Sequence, residues 1–113
     1  MDTQTFLESP YFGSVVCLCG STQFKEAFEY IAEWFTWRGA VVLMPCIFHH
    51  ADNVELTNEQ KNMLDLVHRL KIKNADLIFI VDQDHYIGKS TQREIEFATT
   101  LNKNIIYWSD MRI

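Results

Sequence analysis

Four short runs of this chain are apolar at successive positions rather than alternate ones: Val15-Val16-Cys17-Leu18-Cys19, Ala40 to Met44, Leu77 to Val81, and Ile105-Ile106-Tyr107. A strand that is apolar on both sides is buried on both sides, which is the condition of a parallel sheet covered by helices. Between the runs the period lengthens. Phe24, Ala27, Phe28, Ile31 and Phe35 recur at three- and four-residue spacing up to Gly39. Met63, Leu66, Val67 and Leu70 share one face of a second helix, opened by the capping box Thr57-Asn58-Glu59-Gln60 and ending near Asn74. Thr91 to Leu101 is a third helical segment. Alternating strands and helices with right-handed crossovers predict an α/β fold: a short doubly wound parallel sheet of four or five strands in the order 2-1-3-4, a three-layer sandwich of flavodoxin/Rossmann type. A length of 113 residues fits a single domain, 1–113, in which 1–14, with Pro10 and Gly13, is an irregular lead-in.

Charge narrows the function. The net charge is −5 and no run of five Lys or Arg occurs, so nucleic acid is not an expected partner. Small anions remain possible ligands, because helix ends and backbone amides bind them locally. The N-terminus lacks a basic-then-apolar signal pattern and the apolar runs are about five residues long, so the expected location is the cytoplasm, with no membrane contact. Cys17, Cys19 and Cys46 do not match a zinc spacing, and Cys17 and Cys19 read as small core residues of a strand. His49, His50 and Asp52 lack a third spaced ligand. No metal and no organic cofactor are therefore expected. Tyr30, Trp34 and Trp37 form a second apolar stripe on the first helix, which predicts a homodimer or larger homo-oligomer.

In a doubly wound sheet, ligands bind beyond the carboxyl ends of the strands where strand order reverses. Here that point lies between strands one and three. Gly20-Ser21-Thr22 follows the first, and Tyr86 through Gly88-Lys89-Ser90-Thr91 to Glu94 follows the third. The expected substrate contacts are Gly20, Ser21, Thr22, Tyr86, Gly88, Ser90, Thr91 and Asp82. Ser21 and Thr22 also read as plain N-caps. Glu94, placed by this reading in the first helical turn, has two interpretations: a nucleophile aimed into the cleft, or the far half of a Thr91-x-x-Glu94 capping box. His68 is either a hydrogen-bonded structural histidine or a second catalytic residue, with Asp65 one turn earlier as an alternative carboxylate. The loop carrying Phe48, His49 and His50 folds over a ligand on this reading, with Phe48 stacked on a base. Glu96 reads as a solvated surface residue.

Cys19-Gly20-Ser21-Thr22, His68-Arg69-Leu70-Lys71-Ile72 ahead of Ala75-Asp76, and Tyr86-Ile87-Gly88 through Glu94-Ile95-Glu96-Phe97-Ala98 together resemble the nucleoside 2-deoxyribosyltransferase superfamily. That superfamily includes deoxynucleoside 5′-monophosphate N-glycosidases, and the likeness is to its small bacterial and phage members. It spans Val15 to Trp108. The resemblance implies cleavage of an N-glycosidic bond through a covalent glycosyl–Glu intermediate, with Glu94 as nucleophile, Ser21 near the ligand and Ser90 at the phosphate. Family members commonly carry Asp eight residues before the Asp that opens the third strand, where this chain has His68. The expected partner is a small nucleoside or nucleotide, cleaved by hydrolysis or by transfer to a second base. The alternative reading is a non-catalytic nucleotide sensor using the same pocket.

Overall fold

The computed structural model describes residues 7–113, so the first six residues of the expected lead-in lie outside the described residues. Residues 8–14 form turns ahead of the first strand. The elements that follow are β1 (Val15–Cys19), α1 (Lys25–Thr36), β2 (Val41–Leu43), α2 (Asn58–Lys73), β3 (Leu77–Ile80), α3 (Lys89–Thr100) and β4 (Asn104–Tyr107). Short 3-10 turns at Gln83–His85 and Trp108–Asp110 follow β3 and β4. The sheet has four strands in the order β2-β1-β3-β4, every pairing parallel. This is the α/β doubly wound order that the apolar runs predict.

Alternation along the strands divides the core into two layers. Val16 and Leu18 of β1, with Leu77, Phe79 and Val81, pack against Ala27, Phe28, Ile31 and Phe35 of α1. Cys17 and Cys19, with Ile78 and Ile80, face Ile72 of α2 and Ile95 and Ala98 of α3. One helix therefore covers one face of the sheet and two cover the other. Edge-to-face aromatic contacts tie the first layer, Phe35 on Phe79 at 5.0 Å and Phe28 on Phe48 at 5.3 Å between centroids.

Two expectations about helix faces are revised. The capping box that opens α2 is present, Gln60 N donating to Thr57 Oγ1 at 3.1 Å and Thr57 N to Gln60 Oε1 at 2.9 Å. Yet of the α2 residues only Ile72 is buried, and the Met63, Leu66 and Leu70 face is more than half exposed. The helix rests on the sheet through its C-terminal half. Tyr30 on α1 and Trp37 at its C-cap are exposed, but Trp34 is half-buried against Tyr11 and under the Arg38 guanidinium, 3.6 Å from its ring centroid. The second stripe is thus divided. No helix among the described residues is long and apolar enough to cross a membrane.

The ends of β1 and β3 meet tightly. Val81 N donates to Cys19 O at 2.7 Å, and a Cβ on Gly20 would stand 2.7 Å from Val81 O and 3.2 Å from the Phe28 ring. The backbone oxygen has nowhere to go without parting the two strands. Gly20→Ala is expected to destabilise the fold by about 1–3 kcal/mol, the usual range for overpacking, read from urea denaturation midpoints.

Candidate functional site

A cavity of about 540 Å³ opens at the carboxyl ends of β1 and β3, where the strand order reverses. Gly20, Ser21 and Thr22 form one wall and Tyr86, Gly88, Ser90 and Glu94 the facing one. His68 and Asp65 of α2 close the floor and side, and Pro45, Cys46, Ile47, His49 and His50 reach over from the loop after β2. That loop is pinned to the start of α1 by a Lys25–Asp52 ion pair at 3.2 Å.

Two of the residues expected here lie elsewhere. Asp82 is buried and does not line the cavity; its carboxylate accepts from Ser109 N at 2.9 Å and Ser109 Oγ at 2.6 Å, tying β3 to the turn after β4. Thr91 is also buried behind the wall, in the first turn of α3. Phe48 is buried on Phe28 in the core and is not available to stack on a base. Tyr86 supplies the cavity's aromatic instead, about half exposed and held edge-on by Phe24 at 5.8 Å. The turn that presents it has Asp84 and His85 at φ 54° and 63°, a left-handed conformation that Asp and His tolerate better than most residues.

The position of Glu94 turns on where α3 begins. The helix starts at Lys89 with Gly88 at the N-cap, and no side chain caps it. Thr91 is then the third helical residue rather than the cap, and Glu94 the sixth. The capping-box interpretation falls, and so does the placement of Glu94 in the first turn. Its carboxylate instead points across to α2, where Glu94 Oε2 lies 3.1 Å from His68 Nε2, both side chains mostly buried. The contact is close in charge but not aligned as a hydrogen bond, and Oε2 has no hydrogen-bond partner. Glu96 is exposed, as expected.

His68 also meets β1. Its Nε2 is 3.2 Å from Cys19 Sγ and 4.0 Å from Cys17 Sγ. Burial opposes a charge on the imidazole, but the Cys17 thiol and the Glu94 carboxylate together outweigh it and push its pKa up to about 10. The thiols titrate as a pair. Hydrogen bonding from Cys19, aided by His68, lowers Cys17 to about 6 against the pull of burial. Cys19 moves well above its usual value for the complementary reason, and burial adds to the rise.

Four cations line the cavity, Lys61, Lys71, Lys89 and Arg93, against the two carboxylates of Asp65 and Glu94. None of these cations stands out in the sequence, because they come from two helices and face one space only after folding. Lys71 is partly committed, donating to Met44 O at 2.8 Å. His49 senses the same field: burial and the charges of His50 and Lys61 lower its pKa. Among the described residues, the buried side-chain polar atoms without a hydrogen-bond partner are Thr22 Oγ1, His49 Nδ1 and Glu94 Oε2. All three residues line this cavity. Such atoms are costly unless something polar meets them, and of the three Glu94 Oε2 has the His68 charge at 3.1 Å.

Comparison with models of protein families finds no match to this chain, and no curated protein matches it.

Proposed function

We propose that the protein cleaves the N-glycosidic bond of a deoxynucleoside 5′-monophosphate, with Glu94 as the nucleophile. The observation that carries this reading is the Glu94 carboxylate, which caps nothing, is ion-paired with His68 at 3.1 Å and borders a cavity with a surplus of cations. The motif resemblance to the nucleoside 2-deoxyribosyltransferase superfamily points to the same residue, and supplies the reaction class.

In this reading His68 is a positioning residue. It holds the carboxylate from 3.1 Å while β1 holds His68 in turn. The substrate phosphate lies among Arg93, Lys89 and the Ser90 hydroxyl, and the sugar against Tyr86 and the Ser21-Thr22 turn. A Glu94 oxygen forms a bond to C1′ as the bond from C1′ to the base nitrogen breaks, and the base leaves with that electron pair and takes a proton from water. Water then adds to C1′ and releases the carboxylate, giving net retention. If a second base replaces the water, the same site performs transfer.

The cation surplus favours the phosphorylated substrate specifically. Incubated with deoxynucleosides and their 5′-monophosphates, the protein is expected to release free base at least tenfold faster from the monophosphates, as read by chromatography. Arg93→Gln is expected to remove most of that preference. Equal rates on both substrate classes would sink the phosphate assignment. No base release, together with thermal stabilisation by a nucleotide, would identify a sensor built on the same pocket.

A further inference from the structure

Below the Glu94 carboxylate lies a side-chain cluster whose two thiols take no chemical part in glycoside cleavage. Cys17 and Cys19 stand two residues apart on β1, so both thiols project from one face of the sheet. α2 lowers His68 onto them, and the two Sγ atoms and a ring nitrogen all lie within 4.8 Å of one another. From the cavity side, Glu94 Oε2 approaches the same nitrogen at 3.1 Å. We propose that Cys17, Cys19 and His68 bind a thiolate-favouring divalent ion of the zinc class, with the Glu94 carboxylate as fourth ligand.

The spacing suits such an ion. Tetrahedral bonds of about 2.3 Å to sulfur and about 2.0 Å to nitrogen place a sulfur and a nitrogen ligand roughly 3.5 Å apart. The two sulfur–nitrogen separations here, 3.2 and 4.0 Å, bracket that value. Two thiols and an imidazole select zinc-like ions over magnesium or calcium, which prefer oxygen. The ligands sit on the central strand and on a helix packed over it, so little rearrangement is needed. Both cysteines are buried, but His68 and Glu94 line the cavity and give the ion its route.

Binding forms two metal–sulfur bonds, one metal–nitrogen bond and one metal–oxygen bond, and the protons held by the thiols and by the His68 imidazolium pass to solvent. An ion so held occupies the Glu94 carboxylate, so metal loading and nucleophilic attack by Glu94 exclude one another. The ligand spacing is illegible along the chain, because Cys-x-Cys is too short for a familiar zinc pattern and the histidine comes from another element.

Titration of the full chain, stripped with chelator and kept reduced, with cobalt(II) tests the site without reference to activity. One equivalent is expected to give a thiolate-to-cobalt charge-transfer band and the intense visible bands of four-coordinate cobalt, both abolished by zinc. Cys17→Ser, Cys19→Ser and His68→Gln are each expected to weaken binding at least tenfold, whereas Cys46→Ser leaves it unchanged. His68→Gln leaves the sheet core untouched, so it decides the matter if a cysteine variant fails to fold. Glu94→Gln is expected to keep the charge-transfer band, which separates this inference from the glycosidase reading. No charge-transfer band in the unaltered chain, undiminished binding in His68→Gln, or loss only in Cys46→Ser would overturn it.

Discussion

Replacing Glu94 by Gln is expected to lower the rate of base release by at least about a thousandfold, which corresponds to ~4 kcal/mol of transition-state stabilisation. The amide keeps the shape and polarity of the side chain but cannot form the glycosyl ester. A purely structural Glu94 would tolerate this change, yet α3 takes its N-cap from Gly88 and asks nothing of Glu94. The far-UV circular dichroism of the variant should match that of the unaltered protein. Glu96→Gln is the control: Glu96 is exposed on the same helix, and its loss should change the rate by less than about twofold. Equal rates for Glu94→Gln and the unaltered protein would remove the nucleophile assignment while leaving the pocket intact.

The largest effect on stability is expected from Phe28→Ala, a loss of about 3–5 kcal/mol, the usual cost of emptying a buried phenylalanine site. Phe28 is fully buried at the point where three parts of the molecule meet. Its ring packs against Phe48 at 5.3 Å, which seats the loop over the cavity, and lies close under the Gly20 turn at the end of β1. Alanine would leave a void bounded by a strand end and a loop rather than by regular helix, so the surroundings collapse poorly. Urea denaturation should show the fall in midpoint, and the loop that carries His49 and His50 should lose amide-exchange protection first. A loss below about 1 kcal/mol would mean that Phe28 does not join the loop to the core.

The sheet was legible because its strands are short, apolar throughout and separated by helical periods; nothing else satisfies both patterns at once. The site was legible only where it follows from topology. Gly20, Ser21, Thr22, Tyr86, Gly88, Ser90 and Glu94 line the cavity because they follow β1 and β3, whose position the strand order already determines. α3 begins two residues before the Thr91 that the periodicity predicts, since Lys89 and Ser90 are polar and carry no periodic signal. That small shift decides whether Thr91 caps the helix or lies in its first turn. Asp82 lies away from the expected cavity for a different reason: its partner Ser109 lies beyond another helix and strand, and no local pattern reveals such a tie. The contacts of His68 with Cys19 and Glu94 were invisible in the same way, being set by how α2 rests on the sheet. Phe48 reads as a loop aromatic in the sequence, but burial on Phe28 proved the stronger demand.

The account rests on a covalent bond between Glu94 and the sugar, and that bond can be weighed. The protein is mixed with a deoxynucleoside 5′-monophosphate, quenched in acid during turnover, digested and examined by mass spectrometry. A deoxyribose-phosphate adduct on the peptide containing Glu94, absent from Glu94→Gln, is the predicted result. An adduct on any other residue, or base release accompanied by inversion at the anomeric carbon, would contradict it.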